Sequence, residues 1–543
     1  MCKIQDCVTK TQNSEKLIRA SAGDYNLARA FVCRQVEVGR GDHPAVECEG
    51  SIWTYGDVHR EVSIVARELR RLGVKKGDRV LLVLPDSVDF VAAFFGVVSI
   101  GAIAVPTGTS LLAVDYQERI RLSRPAAIIV DEALLAIVIG LEGESDPGEV
   151  LPSYPISESC EVIIVAAGGG GWRGISGPWS SDPPASFEVA STGPDDDAFW
   201  LWTSGTTGAA KAAIHQHGDW RHSCEGYGEQ ILGLEPCDRT FSTSKLYHAY
   251  GLGNGLMFPF HAGATTILFP ARPSPAAMIE TLVRTRPTVF FSVPTLYSSM
   301  LAEASAEIDL SHVRLGVSAA EPLPVEILHQ WRDRFGFEIL DGIGSTEVLH
   351  IYISPHLGSV VPGSTGRPVP GYEIRLTDEN GDPTRMGEVG DLWVRGLSMA
   401  SGYWEQAELS ATRFVDGWFH TGDKFRCDES GNYWYAGRSD DMFRVSGQWV
   451  SPIEVENALL QHPEVRDAAV VAFEDDNGLL KPRAFVILVS GADPGSELAE
   501  VLKAHVKRLI TPYKYPRRIV FVDDFPRSPT GKVLRHVLRR TLA

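Results

Sequence analysis

The chain has 543 residues, 44% of them hydrophobic, with a formal net charge of -18 and a pI near 5.3. That length exceeds what one hydrophobic core supports, so two or more domains are expected. The acidic balance argues against nucleic acid or an anionic membrane as a partner, since either calls for a basic face.

The N-terminus, Met1 to Asp6, lacks the apolar core of a signal peptide, and the 8 cysteines form no Cys-x-x-Cys pair and no zinc spacing. Both features fit reduced thiols and a cytoplasmic location. After a polar tail, apolar positions at helical spacing from Tyr55 to Leu72, closed by Gly73, predict a helix. The strand-like segment 80–85 follows, and then the apolar run Phe90 to Pro106. Its length approaches a membrane span, but Gly96, Gly101 and Pro106 interrupt it, so a buried strand–helix–strand unit is predicted.

Ala166 to Ser186, with four consecutive glycines from Gly168 to Gly171, reads as a surface loop. Phe199 to Trp202 reads as a buried strand. Segments 265–269, 288–294 and 313–318 predict further buried strands between helices, an α/β pattern in which each strand ends in a turn that can face a ligand. Between Gly363 and Phe443 short alternating strands predict a β-rich subdomain. Beyond Asp440-Asp441 come a helix (452–461), strands (468–472 and 484–489), a helix (497–509) and a strand (518–522).

The predicted fold class is therefore α/β. A large N-terminal domain, residues 1–439, combines α/β subdomains with the β-rich one, and a small mobile α+β C-terminal domain, residues 440–543, turns on a hinge at Asp440.

Four segments carry chemistry. Thr203-Ser204-Gly205-Thr206-Thr207-Gly208-Ala209-Ala210-Lys211 follows a strand and bares backbone N–H groups that can wrap a polyphosphate. It is not a Walker A loop, because Ala210 precedes Lys211 and Ala212 follows it. In Asp341-Gly342-Ile343-Gly344-Ser345-Thr346-Glu347 the glycines permit close approach to a flat ring, Thr346 can donate to phosphate, and Glu347 is a hard oxygen ligand suited to Mg²⁺. Asp423, in what reads as a Gly-bounded turn, can accept both ribose hydroxyls, with Arg438 as a charged donor. Lys532, in Ser528-Pro529-Thr530-Gly531-Lys532, is a point charge able to offset repulsion between a carboxylate and a phosphate. No Gly-x-Ser-x-Gly elbow or Cys/His pairing supports covalent catalysis.

Read in order, these segments resemble the adenylate-forming superfamily of acyl- and aryl-CoA synthetases, peptide-synthetase adenylation domains and luciferases. Lys245-Leu246-Tyr247-His248-Ala249-Tyr250-Gly251-Leu252-Gly253-Asn254 and the stretch from Asp341 to Ile351 are most similar to benzoate-CoA ligases. The resemblance implies that the 204–211 loop covers the β- and γ-phosphates of ATP, that Thr346 and Glu347 serve phosphate and Mg²⁺, and that Ala320, Glu321, Pro322, Asp341 and Gly342 frame adenine. Asp423 and Arg438 would hold the ribose. Lys532 would bridge carboxylate and α-phosphate, then withdraw as the C-terminal domain turns about Asp440. Gly447 would line the pantetheine tunnel of coenzyme A.

The acid would sit among Ala249, Tyr250, Gly344, His350 and Ile351, a flat slot for an aromatic ring. Ala210 and Ala212 stand where the superfamily has Pro and Gly, and Trp449 where CoA-using relatives are often polar or basic. The implied function is activation of benzoate or a substituted benzoate, then transfer to CoA, by a monomer or homodimer. The alternative is a stand-alone enzyme that loads a carrier protein's phosphopantetheine.

Overall fold

The computed structural model describes residues 24–139, 154–157, 160–168, 171–174, 177–184, 186–204, 210–439, 441–445, 448–475, 479–527 and 533–540. The polar tail, residues 205–209 of the phosphate loop, Asp440, Gly447 and Lys532 lie outside them, and Ser204 is described only as the end of a strand.

The predicted first helix runs Tyr55–Arg71 and starts at a capping box, in which Thr54 accepts from Asp57 N while Asp57 accepts from Thr54 N. Its stripe of Val58, Val62, Val65 and Leu69 is fully buried. The apolar run is the expected strand–helix–strand unit: parallel strands Arg79–Val83 and Ile103–Pro106 flank helix Val88–Ser99, whose N-cap Ser87 accepts from Phe90 N. Gly96 lies inside that helix. A Cβ there would stand 2.6 Å from Val65 Cγ1, so glycine lets the two helices approach closely. Among the described residues no helix is long and apolar enough to cross a membrane.

Two large sheets carry the N-terminal part. One orders Ile339–Asp341, Leu315–Ser318, Val289–Ser292, Arg239–Ser242, Thr265–Leu268, Pro44–Cys48 and Ser51–Thr54, parallel except for the last pair. The other places Gly402–Tyr403 at one edge, then Ala210–Gln216, Asp197–Ser204, Ile103–Pro106, Arg79–Val83, Ala127–Asp131 and Cys160–Gly168. A continuous core of Val, Leu, Phe and Trp side chains fills the space they enclose.

The loop expected over 166–186 is corrected for its first part, since Cys160–Gly168, Gly171–Gly174 and Gly177–Pro178 form antiparallel strands, with buried Trp172 stacked on Trp179 at 5.7 Å, while residues 179–184 and 186 carry no strand or helix. Pairing across the sheet and aromatic burial outweigh the local turn preference of the glycines there.

The β-rich part is an antiparallel sheet containing Glu373–Thr377, Gly390–Arg395, Trp418–Cys427 and Tyr433–Arg438. Beyond it, helices Pro452–Leu460 and Ser496–Leu509 pack on strands Val465–Glu474, Leu480–Leu488 and Arg518–Phe521 around a separate core that includes Val455, Val470, Val486 and Leu502. This is the α/β class with a small α+β C-terminal part that the sequence predicts.

Candidate active site

The parallel strands of the first sheet end together, and the expected adenine frame lies on the turns that leave them. Ser318 pairs with Asp341, and Gly342 N donates to Ser318 O at 2.9 Å, which brings segments 318–323 and 341–342 side by side. Ala320 takes φ +78°, a strained left-handed conformation, and is exposed. Glu321 accepts from Thr295 Oγ1 at 2.7 Å, and Pro322 leads to Leu323, whose N donates to Asp341 Oδ2 at 3.1 Å. Gly342 is required by packing, since a Cβ there would lie 2.7 Å from Ile351 Cγ2.

Burial pushes the Asp341 carboxyl up to about 7, with Leu323 N and the nearby Ser318 hydroxyl offsetting part of the rise. Its Oδ1 is buried and makes no hydrogen bond of normal geometry. That orphan acceptor is chemically suited to an N–H donor such as the exocyclic amine of adenine.

The burial of Asp341 has a measurable consequence. The folded chain holds its proton to about pH 7, whereas the unfolded chain releases it near 3.8, so this group costs stability as pH rises from about 4 to about 7. Asp341→Asn lacks that titration. Its melting temperature relative to the wild type, measured without nucleotide, should climb between pH 5 and pH 7 and then level off; a difference flat with pH would refute the assignment.

The residues expected around the acid are also brought together. Ala249 and Tyr250 open the short helix Ala249–Leu252, and Gly344 pairs with Ile351 across a tight hairpin. Gly344 admits no side chain, because a Cβ would lie 2.5 Å from His350 O. His350 enters through a strained γ-turn: Leu349 has φ +71° and ψ -54°, and His350 N donates to Val348 O at 3.0 Å. The His350 ring is 2% exposed, stacks on Tyr250 at 5.4 Å and meets Phe258 edge-on at 4.6 Å. Burial drives its pKa down to about 3, so the imidazole is neutral. Its Nε2 donates to the side-chain oxygen of Asn254 at 3.0 Å, while the Tyr250 hydroxyl donates to Ser292 O (3.2 Å) and Val317 O (3.3 Å).

Thr346 and Glu347 lie on the 3₁₀ turn Thr346–Val348, and neighbouring strands hold the turn in place. His215 Nε2 donates to Thr346 O at 2.9 Å and its Nδ1 meets the buried Asp219 carboxylate at 2.9 Å. Ala400 N donates to Glu347 O at 2.8 Å, and the Tyr403 hydroxyl donates to Glu347 Oε1 at 2.8 Å. Burial, then the Glu347 charge, raises the Tyr403 hydroxyl far above its ordinary range, so it stays protonated.

Thr203 and Lys211 are paired across the hairpin that leads into and out of the phosphate loop, and the Lys211 ammonium lies 5.8 Å from the Tyr403 ring centroid. Asp423 and Arg438 pair in register, with Nη1 to Oδ1 at 3.1 Å. The turn expected around Asp423 is corrected: it lies within strand Trp418–Cys427, kinked by Gly422 at φ +77°, because its neighbours on both sides complete a ladder. Buried Tyr352 feels the charges of Asp423, Arg438 and Glu347, so the ribose candidates and the Thr346–Glu347 turn lie within electrostatic reach of one residue.

Sequence reasoning missed Tyr403, His215, Asp219 and Asn254. The His215/Asp219 spacing of i,i+4 was a visible signal of a pair, but its partner Thr346 is 131 residues away. Tyr403 gave none, sitting 56 residues from Glu347 in an unremarked Gly-Tyr-Trp.

This combination of fold and site defines a nucleotide-binding class of enzyme. Residues 33–404 match the AMP-binding enzyme family and residues 454–532 the AMP-binding enzyme C-terminal domain; the chain belongs to that family. It is 43% identical over 519 residues to the benzoate–CoA ligase of Thauera aromatica, covering 95% of this chain and 96% of that protein. It is 39% identical over 520 residues to the 4-hydroxybenzoate–CoA/benzoate–CoA ligase of Rhodopseudomonas palustris, with coverages of 95% and 94%. Among solved structures it resembles an anthranilate CoA ligase in complex with anthranoyl-AMP, with TM-score 0.86 and 36% identity, covering 95% of this chain and 97% of that one. The adenylate-forming resemblance read from the motifs is borne out.

Proposed function

We propose that the protein is an ATP- and Mg²⁺-dependent aryl-CoA ligase acting on benzoate. The acid's carboxylate oxygen attacks the α-phosphorus of ATP and the bond to pyrophosphate breaks. The thiol of coenzyme A then attacks the aryl-adenylate carbonyl, AMP leaves, and the thiol proton passes to solvent. The observation that carries this reading is the neutral His350 ring stacked on Tyr250, three residues along the chain from the Thr346–Glu347 turn: an uncharged aromatic surface would then adjoin the residues proposed for phosphate. An imidazolium in that slot would attract the carboxylate away from the phosphate. The names of the relatives support the same reading.

The residues also fit the metal. Among the described residues no group of three or more His, Cys, Asp or Glu could hold an ion by itself. Glu347 gives one oxygen to Tyr403, and its other makes no hydrogen bond among the described residues. A single open carboxylate suits Mg²⁺, which keeps waters and takes phosphate oxygens. Glu347, with Thr346 beside it, would hold the ion, which when bound neutralises phosphate charge. Asp423 and Arg438 would fix the ribose, and Asp341 and Gly342 the adenine. Lys532 would offset carboxylate–phosphate repulsion, with residues 440–543 moving as a unit about Asp440 to bring Gly447 to the pantetheine path.

Tyr250 spends its hydroxyl proton inside the protein, while His350 Nδ1 and Asn254 Nδ2 make no hydrogen bond of normal geometry, so the slot suits a benzoate ring either bare or carrying one small polar group, and benzoate is the acid the relatives' names support first. Acid-dependent ATP–pyrophosphate exchange across benzoate, hydroxybenzoates and anthranilate tests this directly. Benzoate should give the highest kcat/KM, and CoA should outperform a holo carrier protein as acceptor. Absence of exchange with every aromatic acid would refute the function, and preference for the carrier protein would replace the acceptor.

A further inference from the structure

Tyr403 touches two side chains of opposite charge. The short strand Gly402–Tyr403 pairs with the outer edge of Ala210–Gln216, Ala213 facing Tyr403 and Ile214 facing Gly402. Backbone pairing thus sets the tyrosine alongside the hairpin that carries Lys211. Its ring lies under the Lys211 ammonium at 5.8 Å, and its hydroxyl donates to Glu347 Oε1 at 2.8 Å. The side chain is 7% exposed and is held by Phe414 at 5.6 Å, while its N–H donates to Ser410 Oγ at 2.9 Å.

A lysine and a glutamate that both reach one ring attract each other, and without that ring to hold them apart the attraction draws them toward a direct ion pair. Such a pair would withdraw the cation from phosphate and the carboxylate from metal. A neutral phenol touching both satisfies each weakly, through its π face and its O–H, and leaves both charges available.

We propose that Tyr403 is a positioning residue that separates Lys211 from Glu347 and turns the free Glu347 oxygen toward a divalent cation carried by ATP. This rests on the function proposed above. Tyr403→Phe removes only the hydroxyl, and Tyr403→Leu removes the ring as well. Binding of Mn²⁺, standing in for Mg²⁺, is read by electron paramagnetic resonance in the presence of ATP, and binding of ATP without metal by calorimetry. Tyr403→Phe should weaken Mn²⁺ binding about 3- to 10-fold and leave metal-free ATP binding within about twofold. The Mg²⁺ concentration for half-maximal pyrophosphate exchange should rise in step, with the plateau rate kept. Tyr403→Leu should in addition weaken metal-free ATP binding about threefold.

Unchanged Mn²⁺ binding in Tyr403→Phe overturns the proposal. So does a plateau rate that falls without any shift in Mg²⁺ dependence, which would mark a merely structural residue. A wild type that gives no exchange with aromatic acids, yet whose Mn²⁺ binding responds to Tyr403→Phe, would refute the function and uphold the role of Tyr403.

Discussion

Lys532→Ala should lower aromatic-acid-dependent ATP–pyrophosphate exchange by about 10²-fold or more, while conversion of a supplied aryl-adenylate and CoA to aryl-CoA stays near the wild-type rate. Two anionic groups must meet in the first step. At about 4 Å and an effective dielectric near 20, one such pair opposes approach by about 4 kcal/mol, and a single ammonium placed between them offsets a comparable amount. The second step brings a thiol to a carbonyl and has no such opposition.

The segment just beyond Lys532 is firmly tied down. Arg535 donates to both oxygens of the buried Glu456 carboxylate at 2.8 Å, and Arg539 pairs with Asp441. Lys532→Arg should rescue poorly, because a planar fork does not replace a compact ammonium. Equal loss of both half-reactions in Lys532→Ala would remove the lysine from its proposed role.

Asp440→Pro should give the mirror image, with exchange kept within about threefold and the CoA step falling about 10²-fold, because a proline ring locks φ and restricts the residue before it. Both neighbours of this position are anchored. Ser439 N donates to Gly422 O at 2.9 Å and its hydroxyl to Asp391 at 2.8 Å, while Asp441 N donates to Arg438 O at 3.1 Å and its carboxylate takes Arg539. On the proposed hinge, a change of orientation between the two parts of the chain would fall on the residue between the anchors. Single-turnover measurement of adenylate formation and of its consumption by CoA separates the steps. A variant that loses both in parallel would place the hinge elsewhere.

Much of the scaffold was legible because its signals are local. The apolar stripe from Val58 to Leu69, closed by Gly73, and the glycine-interrupted run ending at Pro106 act within a few residues of one another, and each formed the predicted element. The failures have the opposite origin. Gly168 and Gly171 read as loop because their own preferences favour it, yet flanking strands and the Trp172–Trp179 stack decided the outcome. Asp423 read as a turn from Gly422, but its ladder with Arg438 belongs to a strand that returns from residue 433.

From its residues alone the chain determined the order of its motifs, its class of fold and the kinds of side chain available for activating an acid, since spacing, capping and turn chemistry depend on near neighbours. Tertiary structure decided which of those side chains meet and in what charge state. Asp341 holds its proton to about pH 7 and His350 loses its own near pH 3 because segments from across the chain exclude water from them. The same convergence set Tyr403 in contact with both Lys211 and Glu347. Desolvation and contact sum over everything packed around a group, and that sum exists only once the chain has folded.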